Sequence, residues 1–205
     1  MIPYLFFIAL GYVSGSMLYA YLVPKWFRRI DITAQSRDGN PGTANAFLCA
    51  GVPVGIAVLM LELAKAFLPV HWATRVLDST NPLFGLVVAA PVVGHAFPFW
   101  RPREGGKAIA SSFGALLGLL PEWRPLLLLA FFYLLFSLLV VIRPHFFRSV
   151  VTFALFSAGC FLLVKNTAYI FGCIILSTVV VCKHFARYQG ERLRVQSLRE
   201  VLRER

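Results

Sequence analysis

The chain has 205 residues, of which 59% are hydrophobic and 14% are charged, and its formal net charge is +11. A soluble globular domain usually carries about 25% charged residues, so this composition excludes an ordinary water-soluble fold. We expect a single all-α integral membrane domain over residues 1–205, built from transmembrane helices joined by short loops.

Seven apolar stretches are candidate membrane-spanning helices. A helix needs roughly 20 apolar residues to cross the hydrocarbon core, where every backbone polar group must be paired internally. The candidate spans are residues 2–23, 50–70, 83–100, 108–120, 125–142, 149–164 and 167–182. The fourth is short, since 13 residues reach only about 20 Å along a helix axis.

The positive charges predict the orientation of these spans. If all seven stretches cross, sixteen of the twenty Lys and Arg residues fall on the side of the C-terminal tail, three fall on the opposite side, and Lys65 lies within a span. Because positive loops favour the cytoplasm, we expect the N-terminus outside and the C-terminus cytoplasmic. The first stretch lacks a basic leader and an A-x-A cleavage pattern, so it is predicted to remain as a helix.

The tail at residues 183–205 is basic and carries apolar residues at near-helical spacing. This pattern predicts an amphipathic helix on the anionic inner leaflet. The cations of the whole chain are divided among four segments beside the membrane, so nucleic-acid binding is not expected. The four cysteines and four histidines show no metal-ligand spacing, and no metal or cofactor is expected.

Polar residues cluster in the first loop of the basic side, in "SRDGNPGTANAF" at residues 36–47. Asn-Pro and Pro-Gly favour a turn, and Gly39 and Gly42 permit backbone conformations in which successive N–H groups face one concavity. Asn40, Thr43 and Asn45 add side-chain donors. The segment is therefore a candidate anion site, with an ordinary loop turn as the alternative.

A second cluster, "EGGKAIASSFG" at residues 104–114, lies on the same side. Gly105 and Gly106 leave room for close approach, Lys107 supplies a charge, and the following helix begins with unpaired N–H groups. These features favour binding of a phosphate. The alternative is a Gly-Gly turn with a lysine that only marks the cytoplasmic side.

Four ionisable residues lie within or at the ends of the spans. Glu62 and Lys65 are three apart on one helical face, which predicts either a structural pair or a polar cavity. His95 and His184 lie near the basic ends of their spans, where a histidine is either a structural hydrogen-bonding group or a base.

Three segments then carry a family resemblance: "GSMLYAY" at 15–21, "GNPGTAN" at 39–45 and "GHAFPFWRPREGGKAIASSFG" at 94–114. Together they resemble the three motifs of the bacterial acyl-phosphate:glycerol-3-phosphate acyltransferase family, the PlsY type. The resemblance implies transfer of a fatty acyl group from acyl phosphate to the 1-hydroxyl of glycerol 3-phosphate. The products would be lysophosphatidic acid and phosphate, made at the inner face of the lipid bilayer. The oligomeric state stays open.

The resemblance also indicates candidate site residues. Catalytic roles are expected for Lys107, His184, Asp38 and Ser16. Substrate binding is expected for Gly39, Asn40, Gly42, Asn45, His95, Gly105, Gly106, Ser111 and Ser149. Lys107 and the two glycine amides would bind phosphate, while Asn40, Asn45 and Ser16 would orient the acceptor or hold the loop. The hydroxyl proton would pass to Asp38, to His184 or to the substrate's own phosphate.

The chain departs from the family pattern at several positions. Asp38 stands in place of a serine, Leu48 in place of an arginine and Glu104 in place of a lysine. Ala108 replaces a glycine, and Ser111 replaces a threonine. Arg37 and Arg103 are expected to offset the added negative charge. Two other functions therefore stay open: a divergent member with another phosphorylated acceptor or no activity, and a small-anion transporter.

Overall fold

The computed structural model describes residues 1–36, 38–198 and 200. These residues form ten α-helices, one π-helical turn and two short strands. The helices are α1 Ile2–Gly15, α2 Tyr19–Arg28, α3 Ile32–Gln35, α4 Thr43–Ala50, α5 Val52–Val76, α6 Leu83–Ala96, α7 Ile109–Leu117, α8 Arg124–Leu134, α9 His145–Leu163 and α10 Thr167–Phe185. The π-helical turn Leu135–Leu139 and strand β1 Val140–Arg143 follow α8, and strand β2 is Arg194–Ser197.

The helices have the length and composition of a multi-pass membrane protein. Four helical segments are long and apolar enough to cross a bilayer, namely Ile2–Arg28, Val52–Val76, His145–Leu163 and Thr167–Phe185. Leu83–Ala96 and Arg124–Leu139 are shorter apolar helices. The nine residues of α7 extend only about 14 Å. A helical membrane fold is confirmed, while seven crossings and the orientation of the termini stay predictions.

The first predicted span is broken between α1 and α2. Gly15 lies so close to α6 that a Cβ there would overlap the backbone of Pro91. The groups freed by the break are hydrogen bonded, since Trp100 Nε1 donates to the Ser16 carbonyl at 2.7 Å and Lys65 Nζ donates to the Met17 carbonyl at 2.6 Å. Buried polar groups of neighbouring segments therefore stabilise the bend.

Helix α6 is the most buried helix and packs between α1 and α10. Small residues allow this close approach: a Cβ on Gly94 would overlap the Tyr12 carbonyl oxygen, and one on Gly85 would crowd the Ala168 carbonyl. Large apolar side chains, among them Phe84, Phe153 and Phe156, fill the core. The packing fixes α6, whose C-terminal end leads into the Gly105–Lys107 loop.

The tail differs from the predicted amphipathic helix. Lys183–Phe185 complete α10, and Arg194–Ser197 form β2, antiparallel to β1 with Val140 opposite Ser197 and Arg143 opposite Arg194. The helix prediction is therefore wrong over these four residues, and the predicted fifth span ends in a strand rather than a helix. Val195 of β2 lies opposite Ile142, in a segment that the sequence pattern had placed inside a span. Arg199 and residues 201–205 of the predicted helix lie outside the described residues.

Candidate active site

A cavity of about 480 Å³ lies between the loop after α3, the start of α7 and the facing parts of α5, α8 and α9. Its polar lining residues are Asp38, Asn40, Thr43, Asn45, His95, Lys107, Tyr133 and His145. Its apolar lining residues include Leu48, Leu59, Ile109 and Phe113. Two loops that are distant in sequence thus meet at one cavity, as the anion-site predictions required.

The turn at residues 38–45 is organised around the Asp38 carboxylate. Asp38 Oδ1 accepts hydrogen bonds from the Asn40 amide at 3.2 Å and from Asn45 Nδ2 at 2.8 Å. Asn45 Nδ2 also donates to the Asn40 carbonyl at 2.9 Å. Gly39 has a φ of +59°, which favours glycine, and a Cβ on Gly42 would collide with the Asn40 side chain. Gly39 is therefore favoured by the backbone of the turn, whereas Gly42 leaves room for the Asn40 side chain.

Lys107 and Asp38 form an ion pair on the cavity wall, with 2.8 Å between Nζ and Oδ2. Partial burial raises the pKa of the Asp38 carboxyl, but the hydrogen bonds from Lys107 and Asn45 and the Lys107 charge outweigh it. The net pKa of Asp38 is lowered from its ordinary value. Asp38 is thus an ionised group that holds Lys107 beside the polar turn.

Helix α6 supports the glycine loop from below. The Gly106 amide donates to the His95 carbonyl at 3.1 Å, so this N–H group is already engaged. A Cβ on Gly105 would overlap the Ala96 carbonyl, and a Cβ on Gly106 would overlap His95 Nε2. Ala108 follows with a φ of +59°, where glycine is favoured. The two glycines therefore allow the loop to pack closely on α6.

Glu62, Lys65 and His95 form a second, buried cluster below the loop. Lys65 Nζ lies 2.7 Å from Glu62 Oε2 and 2.8 Å from His95 Nδ1, and His95 Nδ1 lies 2.9 Å from Glu62 Oε2. Ser111 Oγ donates to Glu62 Oε2 at 3.3 Å. Of these four residues, only His95 also lines the cavity. The cluster joins α5, α6 and α7 and thereby connects the membrane core to the site.

A pair of histidines lies on the α9–α10 side of the site. The rings of His145 and His184 stack with centroids 5.6 Å apart. His145 Nδ1 lies 2.9 Å from Ser149 Oγ, and its Nε2 lies 3.3 Å from the Tyr133 hydroxyl. His184 Nδ1 donates to the Val180 carbonyl at 2.8 Å, while its buried Nε2 has no hydrogen-bond partner among the described residues.

The predicted residues separate into two groups. Asp38, Asn40, Gly42, Asn45, His95 and Lys107 line the cavity. The other predicted residues do not line the cavity and instead contact residues around it. They are Ser16, Gly39, Gly105, Gly106, Ser111, Ser149 and His184. Ser16 Oγ, for example, donates to the Tyr12 carbonyl at 2.8 Å rather than facing the cavity. Ser149 reaches the site only through His145.

Sequence reasoning missed three polar residues of the site: His145, Arg187 and Tyr133, whose hydroxyl lies beside His145 in the cavity lining. His145 lines the cavity, and its four-residue separation from Ser149 on one helix face is a signal that indicates their contact. Arg187 donates from Nη1 to the Asp38 carbonyl at 3.3 Å and from Nη2 to the Gly105 carbonyl at 3.1 Å. No local pattern distinguishes Arg187 from the other cations of the tail.

Known proteins with similar sequences share one description. The sequence profile for glycerol-3-phosphate acyltransferase matches residues 5–192. The glycerol-3-phosphate acyltransferase of Myxococcus xanthus is 36% identical over 115 residues, which cover 56% of this chain and 59% of that protein. The enzyme of the same name from Maridesulfovibrio salexigens is 35% identical over 154 residues, 74% of each chain. The match to a Thermotoga petrophila relative covers 53% of that protein, so several alignments span little more than half of the relatives' length.

Solved structures give the same fold. The crystal structure of PlsY (YgiH), an integral membrane glycerol 3-phosphate acyltransferase, in its glycerol 3-phosphate form superposes with a TM-score of 0.77. The identity is 21%, and the match covers 90% of this chain and 89% of that one. The lysophosphatidic acid form gives a TM-score of 0.76 at 20% identity, with 98% of both chains covered. By its sequence profile, which extends over most of its length, this chain belongs to the glycerol-3-phosphate acyltransferase family.

Proposed function

We propose that this chain transfers a fatty acyl group from acyl phosphate to the 1-hydroxyl of glycerol 3-phosphate. The observation that carries the proposal is the meeting of Lys107 with the turn at residues 38–45 on one cavity whose lining also includes apolar side chains. A phosphate fits the polar lining residues, and an acyl chain fits the apolar ones. The names of the relatives, and the glycerol 3-phosphate and lysophosphatidic acid forms of PlsY, support the same substrate class.

Acyl transfer from an acyl phosphate does not require a covalent intermediate with the protein. An acyl phosphate is an activated anhydride, so the acceptor hydroxyl can attack its carbonyl carbon directly as the bond from that carbon to the phosphate oxygen breaks. The site has to hold both phosphates, align the hydroxyl and stabilise the negative charge that develops. Lys107 is the cavity-lining cation suited to this task, and Asn40 and Asn45 supply adjacent amide groups.

We assign the hydroxyl proton to the departing phosphate rather than to Asp38. The ion pair with Lys107 lowers the pKa of Asp38, so its carboxylate is a weak base at neutral pH. Asp38 instead acts as the counter-ion of Lys107 in the empty site. A substrate phosphate would displace this carboxylate and take over the Lys107 Nζ.

The site is proposed to face the cytoplasm at the boundary of a bacterial inner membrane. The sixteen-to-three charge asymmetry places this loop on the positive side. Trp26 and Phe27 are 72% and 76% exposed beside Arg28, a composition typical of helices at a membrane interface. Leu48 is 82% exposed and borders the cavity, which gives the acyl chain an entry from the lipid.

The departures from the family pattern argue against the family acceptor less strongly than the sequence alone suggests. Glu104 forms a close ion pair with Arg101, so its charge is offset by this residue rather than by the predicted Arg103. Arg37, the other predicted compensating cation, lies outside the described residues. Another polyol phosphate is the second candidate acceptor. The transporter alternative gains nothing from Glu62 and Lys65, because they are paired with each other deep in the bundle.

Purified protein in detergent supplied with palmitoyl phosphate and glycerol 3-phosphate tests the proposal. We expect lysophosphatidic acid and phosphate in equal amounts, and release of phosphate only when both substrates are present. Phosphate release without an acceptor, or product formation only with another polyol phosphate, would contradict it. Anion uptake into proteoliposomes in the absence of an acyl donor would instead support a transporter.

The Asp38→Asn variant separates a counter-ion from a base. It keeps an oxygen that can accept from Asn40 and Asn45 but removes the charge that faces Lys107. We expect the KM for glycerol 3-phosphate to fall or stay level, with kcat changing by less than about tenfold. A loss of kcat of about a hundredfold or more at unchanged KM would make Asp38 the base.

A further inference from the structure

Arg187 connects the two polar loops of the cavity from outside its lining. It lies two residues beyond the end of α10, and its side chain is half-buried. Its two terminal nitrogens donate to the carbonyl oxygens of Asp38 and Gly105, at 3.3 and 3.1 Å. Within the part of the chain that the structure describes, it forms no ion pair with a carboxylate. A cation held by neutral carbonyls beside this cavity is suited to an anion.

Lys107 makes a different contact. Its ammonium already pairs with the Asp38 carboxylate at 2.8 Å, so a phosphate that binds Lys107 must first displace a charged acceptor. At Arg187 the phosphate would displace only a carbonyl oxygen, and hydrogen bonds to charged acceptors are about twice as strong as neutral ones. A phosphate at Arg187 would therefore replace neutral acceptors, whereas at Lys107 it would replace a charged one.

The guanidinium also has suitable geometry. Its N–H groups form a rigid planar fork that matches two oxygens of a phosphate, whereas a lysine ammonium acts as a point charge. The contacts to Asp38 and Gly105 place this fork between the turn that carries Asn45 and the loop that carries Lys107. A phosphate between these loops would meet three donor side chains from three separate segments.

We propose that Arg187 binds the phosphate group of glycerol 3-phosphate and sets the affinity of the site for this acceptor. The inference rests on the proposed function of the cavity. The segment after α10 would then take a direct part in acceptor binding. The sequence pattern had predicted only membrane contact for this segment.

Steady-state kinetics with each substrate varied in turn tests this role. For Arg187→Ala we expect the KM for glycerol 3-phosphate to rise by roughly tenfold to a hundredfold, as for loss of a charged hydrogen-bonding partner. The KM for palmitoyl phosphate should change by less than about twofold. Arg187→Lys should lie between wild type and Arg187→Ala, because it keeps the charge and loses the fork. Arg192→Ala, which removes an exposed cation of the same segment, should behave as wild type.

Thermal stabilisation by glycerol 3-phosphate, measured without an acyl donor, separates this inference from the acyl-transfer proposal. We expect the ligand to raise the Tm of the wild type and of Arg192→Ala, but much less that of Arg187→Ala. If the wild type binds in this way yet transfers no acyl group, the proposed function fails and the role of Arg187 stands. Equal stabilisation of the wild type and Arg187→Ala would overturn the inference, as would an equal rise in KM for both substrates. The latter result would make Arg187 only a clamp between the loops.

Discussion

Two lysine–carboxylate pairs in this protein have nearly the same geometry and different surroundings. Lys65 and Glu62 lie 2.7 Å apart with 1% of each side chain exposed, whereas Lys107 and Asp38 lie 2.8 Å apart with 18% and 41% exposed. The buried pair is enclosed by further partners, among them His95, Ser111 and the Met17 carbonyl. The outer pair opens onto the cavity.

The difference in burial indicates that the Glu62–Lys65 pair has a structural role and that the Asp38–Lys107 pair can take part in binding. If Lys65 left Glu62 for another anion, the Glu62 carboxylate would remain buried without a cation. The Glu62–Lys65 pair is therefore held in one arrangement. We propose that Lys107 leaves Asp38 for another anion, because its side chain lines the cavity and is 18% exposed. The buried pair therefore stabilises the bend between α1 and α2 and the α6 surface under the glycine loop, while the outer pair is the one that we propose binds substrate.

The largest expected effect is on the buried pair. Lys65→Met leaves the Glu62 carboxylate without its cation, and we expect a loss of about 3–5 kcal/mol in the free energy of unfolding. Thermal unfolding in detergent measures it. The double variant Glu62→Gln with Lys65→Met removes both charges and should recover part of the loss. A single variant as stable as the wild type would show that the buried pair does not hold the bundle together.

A smaller loss is expected where α1 and α6 touch, directly beside His95. Gly94→Ala would push a Cβ into the Tyr12 carbonyl, and we expect about 1–3 kcal/mol of destabilisation from overpacking. Gly159→Ala is the matched control, because a Cβ there meets only the side chains of Leu128 and Phe132. The control should be neutral or slightly stabilising in thermal unfolding. Equal effects at the two positions would contradict the close α1–α6 contact.

The smallest effect is on the stability contributed by the outer pair. Because the pKa of folded Asp38 is lowered, its stabilisation is present above about pH 4, the ordinary aspartate pKa, and is lost as the pH falls through the lower folded value. A half-exposed pair contributes about 0–1 kcal/mol. The Tm difference between wild type and Asp38→Asn should thus be small near neutral pH and disappear in acid. A difference that grows as the pH falls would reverse the assigned sign.

Local sequence motifs were enough to predict that the two polar loops meet at one site. They did not predict the residues that reach the site through the packing of distant helices. Asn40 and Lys107 could be placed together because two anion-binding patterns lie on the same predicted side of the membrane. The spacing of His145 and Ser149 indicates their contact, but the approach of His145 and of Arg187 to the site depends on how α9 and α10 pack, which no local motif encodes. Ser16 and Ser111 were expected at the substrate, but both are fully buried and hydrogen bond to Tyr12 and Glu62. The tail strand was missed because its partner lay inside a predicted span.

The most direct test of the account compares Lys107→Ala with Arg103→Ala, an exposed cation of the same loop. For Lys107→Ala we predict a fall in kcat/KM for acyl transfer of about a hundredfold or more, with the Tm close to that of the wild type. Arg103→Ala should retain nearly full activity. Undiminished acyl transfer by Lys107→Ala, or a loss explained by unfolding, would contradict the proposal that Lys107 of the outer pair binds substrate and supports catalysis.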